Sequence, residues 1–139
     1  MRQLNIDTGV EEFCVNGRGV LRFNPADPNL YHRFFDAGRE LEALDKELDR
    51  RAAKLPDGPE GAEAGLALLA DYDGRIKALL GGVFGPENDF DAALGGVNLA
   101  GVAANGKRVV QNLLEAVAPI LERGAQRHLE ARAEAAEAE

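Results

Sequence analysis

Apolar residues recur at Phe34, Ala37, Leu41, Leu44, Leu48 and Leu55, at spacings of 3, 4, 3, 4 and 7. That alternation is the period of an α-helix with one buried stripe. Glu40, Glu42, Asp45, Lys46, Glu47, Asp49 and Arg50 fill the positions between and form a solvated face, and Arg51 is the one break in the stripe. Asp27-Pro28 marks the start, a carboxylate for the free N–H groups followed by a preset φ. The pattern predicts a helix over 28–54, about 40 Å long at ~1.5 Å per residue. A stripe this narrow suits packing against one partner helix.

Upstream the period changes to two. Leu4 and Ile6, then Phe13 and Val15, alternate with polar residues, and Val20, Leu21 and Phe23 close the segment. Asn16-Gly17 lies between the last two runs, and both residues tolerate the positive φ of a type I′ turn. Two or three short antiparallel strands are expected in 1–23, with the hairpin at Asn16–Gly19 as the firmest piece. Asn24-Pro25-Ala26-Asp27-Pro28 then stops the sheet.

Downstream, Leu55-Pro56-Asp57-Gly58-Pro59 breaks the chain, and a second helix over 60–80 is expected to fold back antiparallel on the first. Leu66, Leu69, Tyr72, Ile76, Leu79 and Leu80 are its expected buried side. Gly65 and Gly74 within it each cost about 1 kcal/mol against Ala. Residues 81–106 form a glycine-rich connection with a turn at Phe84-Gly85-Pro86 and two helical turns within Glu87–Leu94. Val109, Val110, Leu113, Leu114, Val117, Ile120 and Leu121 mark a third long helix, 107–128, with a kink expected near Pro119. The Ala/Glu tail, 129–139, has helix propensity but no apolar stripe, so it is expected to be helical only if docked. The expected architecture is one α+β domain, 1–139: a small N-terminal antiparallel hairpin or sheet followed by three main helices, mostly α.

Composition excludes several classes. Sixteen Lys and Arg against 24 Asp and Glu give −8, a poor match for nucleic acid or an anionic membrane surface. Cys14 is the only cysteine, which rules out an internal disulfide framework. No run of about 18 apolar residues suggests a membrane span, and Met1–Asp7 has no signal-peptide core. A soluble cytoplasmic protein is expected.

No motif calls for catalysis, a cofactor or a metal. Gly101-Val-Ala-Ala-Asn-Gly106-Lys107 has the spacing of a phosphate-cradling loop, but Arg108 stands where Ser or Thr must hold magnesium and no strand precedes it. Gly17-Arg18-Gly19 joins strand to strand, not strand to helix. His32 and His128 fall on different helices, and Cys14 has no ligand at metal spacing. A small half-buried thiol on a strand is the expectation for Cys14. Asp71-Tyr72-Asp73-Gly74 and Asp89-Phe90-Asp91 open like calcium loops but lack the remaining ligands. The paired carboxylates lie on Lys- and Arg-laced helix faces. An enzyme is not expected.

The run Leu4-Asn5-Ile6-Asp7-Thr8-Gly9, then Val15-Asn16-Gly17, Phe23-Asn24-Pro25-Ala26-Asp27 and Arg33-Phe34-Phe35, resembles the small tail assembly chaperones of long-tailed phages and prophages of Gram-positive bacteria. Ile76-Lys77-Ala78-Leu79-Leu80-Gly81-Gly82-Val83-Phe84-Gly85 sits where that family has a Phe-Gly turn, and Val109–Leu121 matches its last helix. Phe90-Asp91 departs from the family's second Phe-Gly. The resemblance covers roughly residues 4–121 and carries over no catalytic residue. It implies binding to the tape-measure protein, recruitment of tail-tube subunits, and absence from the mature virion. Multivalency would raise weak contacts of this kind. Self-association through the Phe34–Leu55 stripe or the final helix would supply it, although intramolecular packing is the expected use of that stripe. The alternatives are a virion structural tail or connector subunit, and a regulatory protein-interaction module.

Overall fold

The computed structural model describes residues 1–138. Strands β1 (Glu11–Val15) and β2 (Gly19–Phe23) form a two-stranded antiparallel sheet, followed by helices α1 (Pro28–Ala53), α2 (Pro59–Phe84), α3 (Phe90–Leu94) and α4 (Val109–Ala138). The hairpin turn has φ of 53° at Asn16 and 74° at Gly17, and the Arg18 N–H donates to the Val15 carbonyl at 3.2 Å. Positive φ at both central residues is the I′ signature, which matches the twist of the flanking strands. The ladder pairs Glu11 with Phe23 and Phe13 with Leu21. Leu21 and Phe23 are buried and face the helices.

No third strand forms within residues 1–23. Residues 1–10 pair with no strand, and Leu4 and Ile6 are exposed. The reason is local: the Asn24 side-chain amide donates to the Thr8 carbonyl at 2.9 Å, and the Gly9 N–H donates to Asp7 at 2.9 Å. The arm is thereby led past the end of β2 and does not turn back along β1.

The Asp27 carboxylate accepts the Asn29 N–H at 3.0 Å and caps α1, with Pro28 in its first turn. The α1 stripe packs inside the molecule: Leu30, Phe34, Ala37, Leu41 and Leu48 are buried. Helix α2 runs antiparallel to it, since Arg51 near the end of α1 reaches Tyr72 while Arg33 near its start donates to the Val83 carbonyl at 3.0 Å. Its buried side is shifted from the expected one: Leu68 replaces Leu66, which is exposed, and Leu69 and Leu79 are half-buried. The helix also continues through Gly81 and Gly82 to Phe84, because Val83 and Phe84 have core to bury against. The glycine-rich connection therefore begins at Gly85 and contains α3.

All six phenylalanines join one aromatic cluster with Tyr31. Phe84 is its hub. Its ring lies 5.4 Å from Phe23, 6.2 Å from Phe34 and 5.6 Å from Phe90, all in tilted or edge-on geometry, as ring quadrupoles favour. Beside it the buried Asn88 amide donates to the carbonyls of Phe84 (2.8 Å) and Arg22 (2.9 Å) and accepts the Arg22 N–H at 2.6 Å. One side chain thus acts as a strand partner for β2 and caps the end of α2.

Helix α4 runs through Pro119 to Ala138, so the expected end at 128 does not occur. The exposed residues 129–138 are helical without docking. Extension from an anchored helix needs no new nucleus, and Ala, Glu and Arg propagate well. Gly124 is buried where α4 crosses the Asn24–Asp27 junction, and a Cβ there would overlap the Pro25 carbonyl.

Asn88→Ala is expected to lower the unfolding free energy by about 3 kcal/mol, the scale for leaving several buried polar groups unpaired, read from urea denaturation. Gly74→Ala points into open space and is expected to raise stability by about 0.5–1 kcal/mol. Gly124→Ala, with the same gain in propensity, is expected to lower it.

Candidate functional site

Helices α1 and α4 meet less closely than α1 and α2, and between them runs a groove of about 370 Å³. Gly38, Leu41 and Leu44 form its α1 wall, Val110 and Leu114 its α4 wall, and Tyr72 and Ile76 of α2 its floor. Leu44 and Leu114 are half-buried, so apolar surface reaches solvent along the groove. Glu42, Asp45, Lys46 and Arg108 supply a charged rim.

The floor is held rigidly. Tyr72 is fully buried; its hydroxyl donates to Glu47 at 2.6 Å and accepts from Arg51 at 3.3 Å. The guanidinium carbons of Arg75 and Arg51 stand 4.6 and 5.6 Å from its ring centroid, in cation–π range. The break in the α1 stripe at Arg51 is therefore where the helix meets a tyrosine. The Tyr72 hydroxyl holds the Glu47 carboxyl below its ordinary pKa of 4.5; burial acts the other way, while Arg75 and Arg51 add attraction.

Arg108 closes one end of the groove. Its side chain, 14% exposed, pairs with Asp45 and Asp49 and donates to the Ala100 carbonyl at 2.7 Å. The glycine-rich connection is fastened from the other side by Asn98, which donates to the Leu69 carbonyl at 3.1 Å and accepts from the Ala100 and Gly101 amides. Asp73 accepts the Leu99 N–H at 2.7 Å and pairs with Lys77, which also reaches Asp91. Burial would lower the Lys77 pKa, but the two carboxylates outweigh it and raise it.

Three amides of the Gly101–Lys107 segment are spent within the loop. Ala103 donates to the Lys107 carbonyl, Gly106 to that of Ala103 and Lys107 to the Asn105 side chain, while the Lys107 ammonium pairs with Glu115. This is a short antiparallel turn around the Val102–Arg108 bridge. Gly17-Arg18-Gly19 is the hairpin turn, and Gly19 abuts the Ala93 backbone. His32 and His128 are both exposed, on α1 and α4. Cys14 is exposed, not half-buried, because Phe13 and Val15 take the inner face of β1. Asp71 is exposed on α2, and Asp89 caps α3 through the Asp91 and Ala92 amides. Among the described residues, no group of three His, Cys, Asp or Glu is placed to hold a metal ion, and no helix is long and apolar enough to cross a membrane.

No protein-family model, no curated protein and no solved structure matches this chain.

Sequence reasoning did not reach the part played by Arg108, Asn88 and Asn98. Arg108 stood out only as the residue that spoils a phosphate-loop pattern, and nothing near it in sequence announces its partners on α1. Arg108→Ala is expected to cost about 2 kcal/mol, the range for hydrogen bonds to a charged group, with protease nicking appearing first in the 95–107 loop. A folded pKa below the unfolded one means that the stability Glu47 adds is present above pH 4.5 and is lost as pH falls through the folded value. Tyr72→Phe is expected to flatten that acid limb of the stability curve without changing its slope near neutrality.

Proposed function

We propose that this chain is a tail assembly chaperone of a long-tailed phage or prophage of Gram-positive bacteria. It binds the tape-measure protein in the host cytoplasm, helps recruit tail-tube subunits, and leaves before the virion is complete. The reading is carried by the order of elements: the Asn16-Gly17 hairpin, the Asn24-Pro25-Ala26-Asp27 junction, the charged helix α1, the Phe84-Gly85 end of α2 and the last helix α4. The α1–α4 groove supports it, since one helix of a long helical client could lay an i, i+3, i+4 apolar face against Leu44 and Leu114. Half-buried leucines in a charged rim favour contacts that form and release. The net charge of −8 opposes clumping of the loaded client.

The test is co-expression with a tape-measure protein from the same genome, with the tag on the tape measure. The chain is expected to be retained in a soluble complex and to be missing from finished particles. Leu44→Glu combined with Leu114→Glu should weaken retention about a hundredfold, the equivalent of losing two apolar anchors, while thermal unfolding stays cooperative. An insoluble tape measure that fails to capture the chain would overturn the reading, and its presence in purified particles would favour a structural tail subunit.

A further inference from the structure

The two edges of the sheet differ. The outer edge of β2 is occupied at two points: Asn88 takes both the N–H and the C=O of Arg22, and Gly19 lies against the Ala93 backbone. Because Arg22 turns those groups outward, Arg22 and Glu12 are a non-hydrogen-bonded pair of the ladder. Alternation along an antiparallel pair then turns the N–H and C=O of Glu12 and Cys14 to the far side of β1. Among the described residues no strand or side chain covers that edge. An open edge of this kind is a template for another strand.

The chain also carries a segment patterned to fill it. Leu4, Ile6 and Val10 alternate with polar residues and are 87%, 75% and 52% exposed. Residues 1–6 contain no turn or bend, and the Asn24–Thr8 contact leads the arm beyond β2, so it does not lie on its own β1 edge.

We propose that residues 2–6 of one molecule add as a third strand to the open β1 edge of a second copy. In parallel register Leu4 lies beside Phe13 and Ile6 beside Val15, two half-buried inner-face residues with apolar surface left to cover. Asn5 then lies beside Cys14, and Arg2 beside Glu11. Arg2 is the only charged side chain before Asp7, and β1 opens with Glu11-Glu12, so the register also matches charge. The antiparallel register that puts Ile6 on Phe13 and Leu4 on Val15 sets Asp7 opposite Glu12, a destabilising like-charge pair. Arm and edge are different surfaces, so the contact either closes reciprocally between two copies or passes from copy to copy.

The proposal is tested on the purified full chain without any client, so its outcome is separate from tape-measure binding. Asn5→Cys is oxidised mildly and run on a non-reducing gel, beside the same variant carrying Cys14→Ser. A covalent oligomer that needs both cysteines is expected, and Gln3→Cys is expected to cross-link far less. By light scattering the unmodified chain is expected to be oligomeric, and Leu4→Asp with Ile6→Asp to need at least about tenfold more protein to associate, the effect of weakening one contact by a single decade in Kd. A monomeric unmodified chain, an oligomer that survives the Leu4 and Ile6 substitutions, or a Cys14–Cys14 bond in the unmodified chain would each overturn it.

Discussion

The side-chain amide of Asn88 joins two kinds of secondary structure that cannot otherwise share hydrogen bonds. A two-stranded hairpin is marginal alone in water, and a helix ends with carbonyls that have no partner. Asn88 answers both needs, taking the N–H and C=O of Arg22 on one side and the Phe84 carbonyl on the other. The aromatic cluster around Phe84 then fills the space between sheet and helices with rings from β1, β2, α1, α2 and α3. The polar clamp sets where the hairpin sits, and the rings supply the burial that holds it there.

Three glycines mark where backbones come too close for a side chain. Gly19 meets α3 at Ala93, Gly61 meets the Pro56 carbonyl at the α1–α2 link, and Gly124 meets the Pro25 carbonyl under α4. These contacts seat α3 against β2, the start of α2 against the preceding link, and the middle of α4 against the junction before α1. Gly38 and Gly74, in the same helices, face open space and carry no such role.

The α1–α4 groove follows from unequal packing. Tyr72 and the aromatic cluster fix α2 against α1 along its length, whereas α4 is fastened to α1 by Arg108 with Asp45 and Asp49, buries Val110, Leu113, Val117 and Leu121 in the core, and meets the Pro25 junction at mid-helix through Gly124. Leu44 and Leu114, between those two fastenings, keep part of their surface in water. A groove closed at one end by Arg108 and floored by a buried tyrosine is preformed, which is what the proposed binding of a client helix requires.

The local features were legible in the sequence. The Asn16-Gly17 turn, the Asp27-Pro28 helix start and the α1 stripe each depend on residues within a few positions of one another, where turn chemistry and helical period act. What is decided by contact between distant segments was not. Leu66 and Leu68 are equally apolar, and only the rotation of α2 against α1 buries one and exposes the other. Gly81 and Gly82 read as a chain break but lie in a helix because Phe84 is buried beyond them. Leu4 and Ile6 read as a strand but have no sheet edge within reach, since Asn24 holds Thr8. The sequence by itself determined that this chain is a hairpin followed by long amphipathic helices, because those are short-range matters of φ, capping and period. The tertiary structure alone decided which edge of the sheet Asn88 occupies and which it leaves open, and that Arg108 and Asp45 meet at the mouth of a groove, because those pairings join residues more than sixty positions apart.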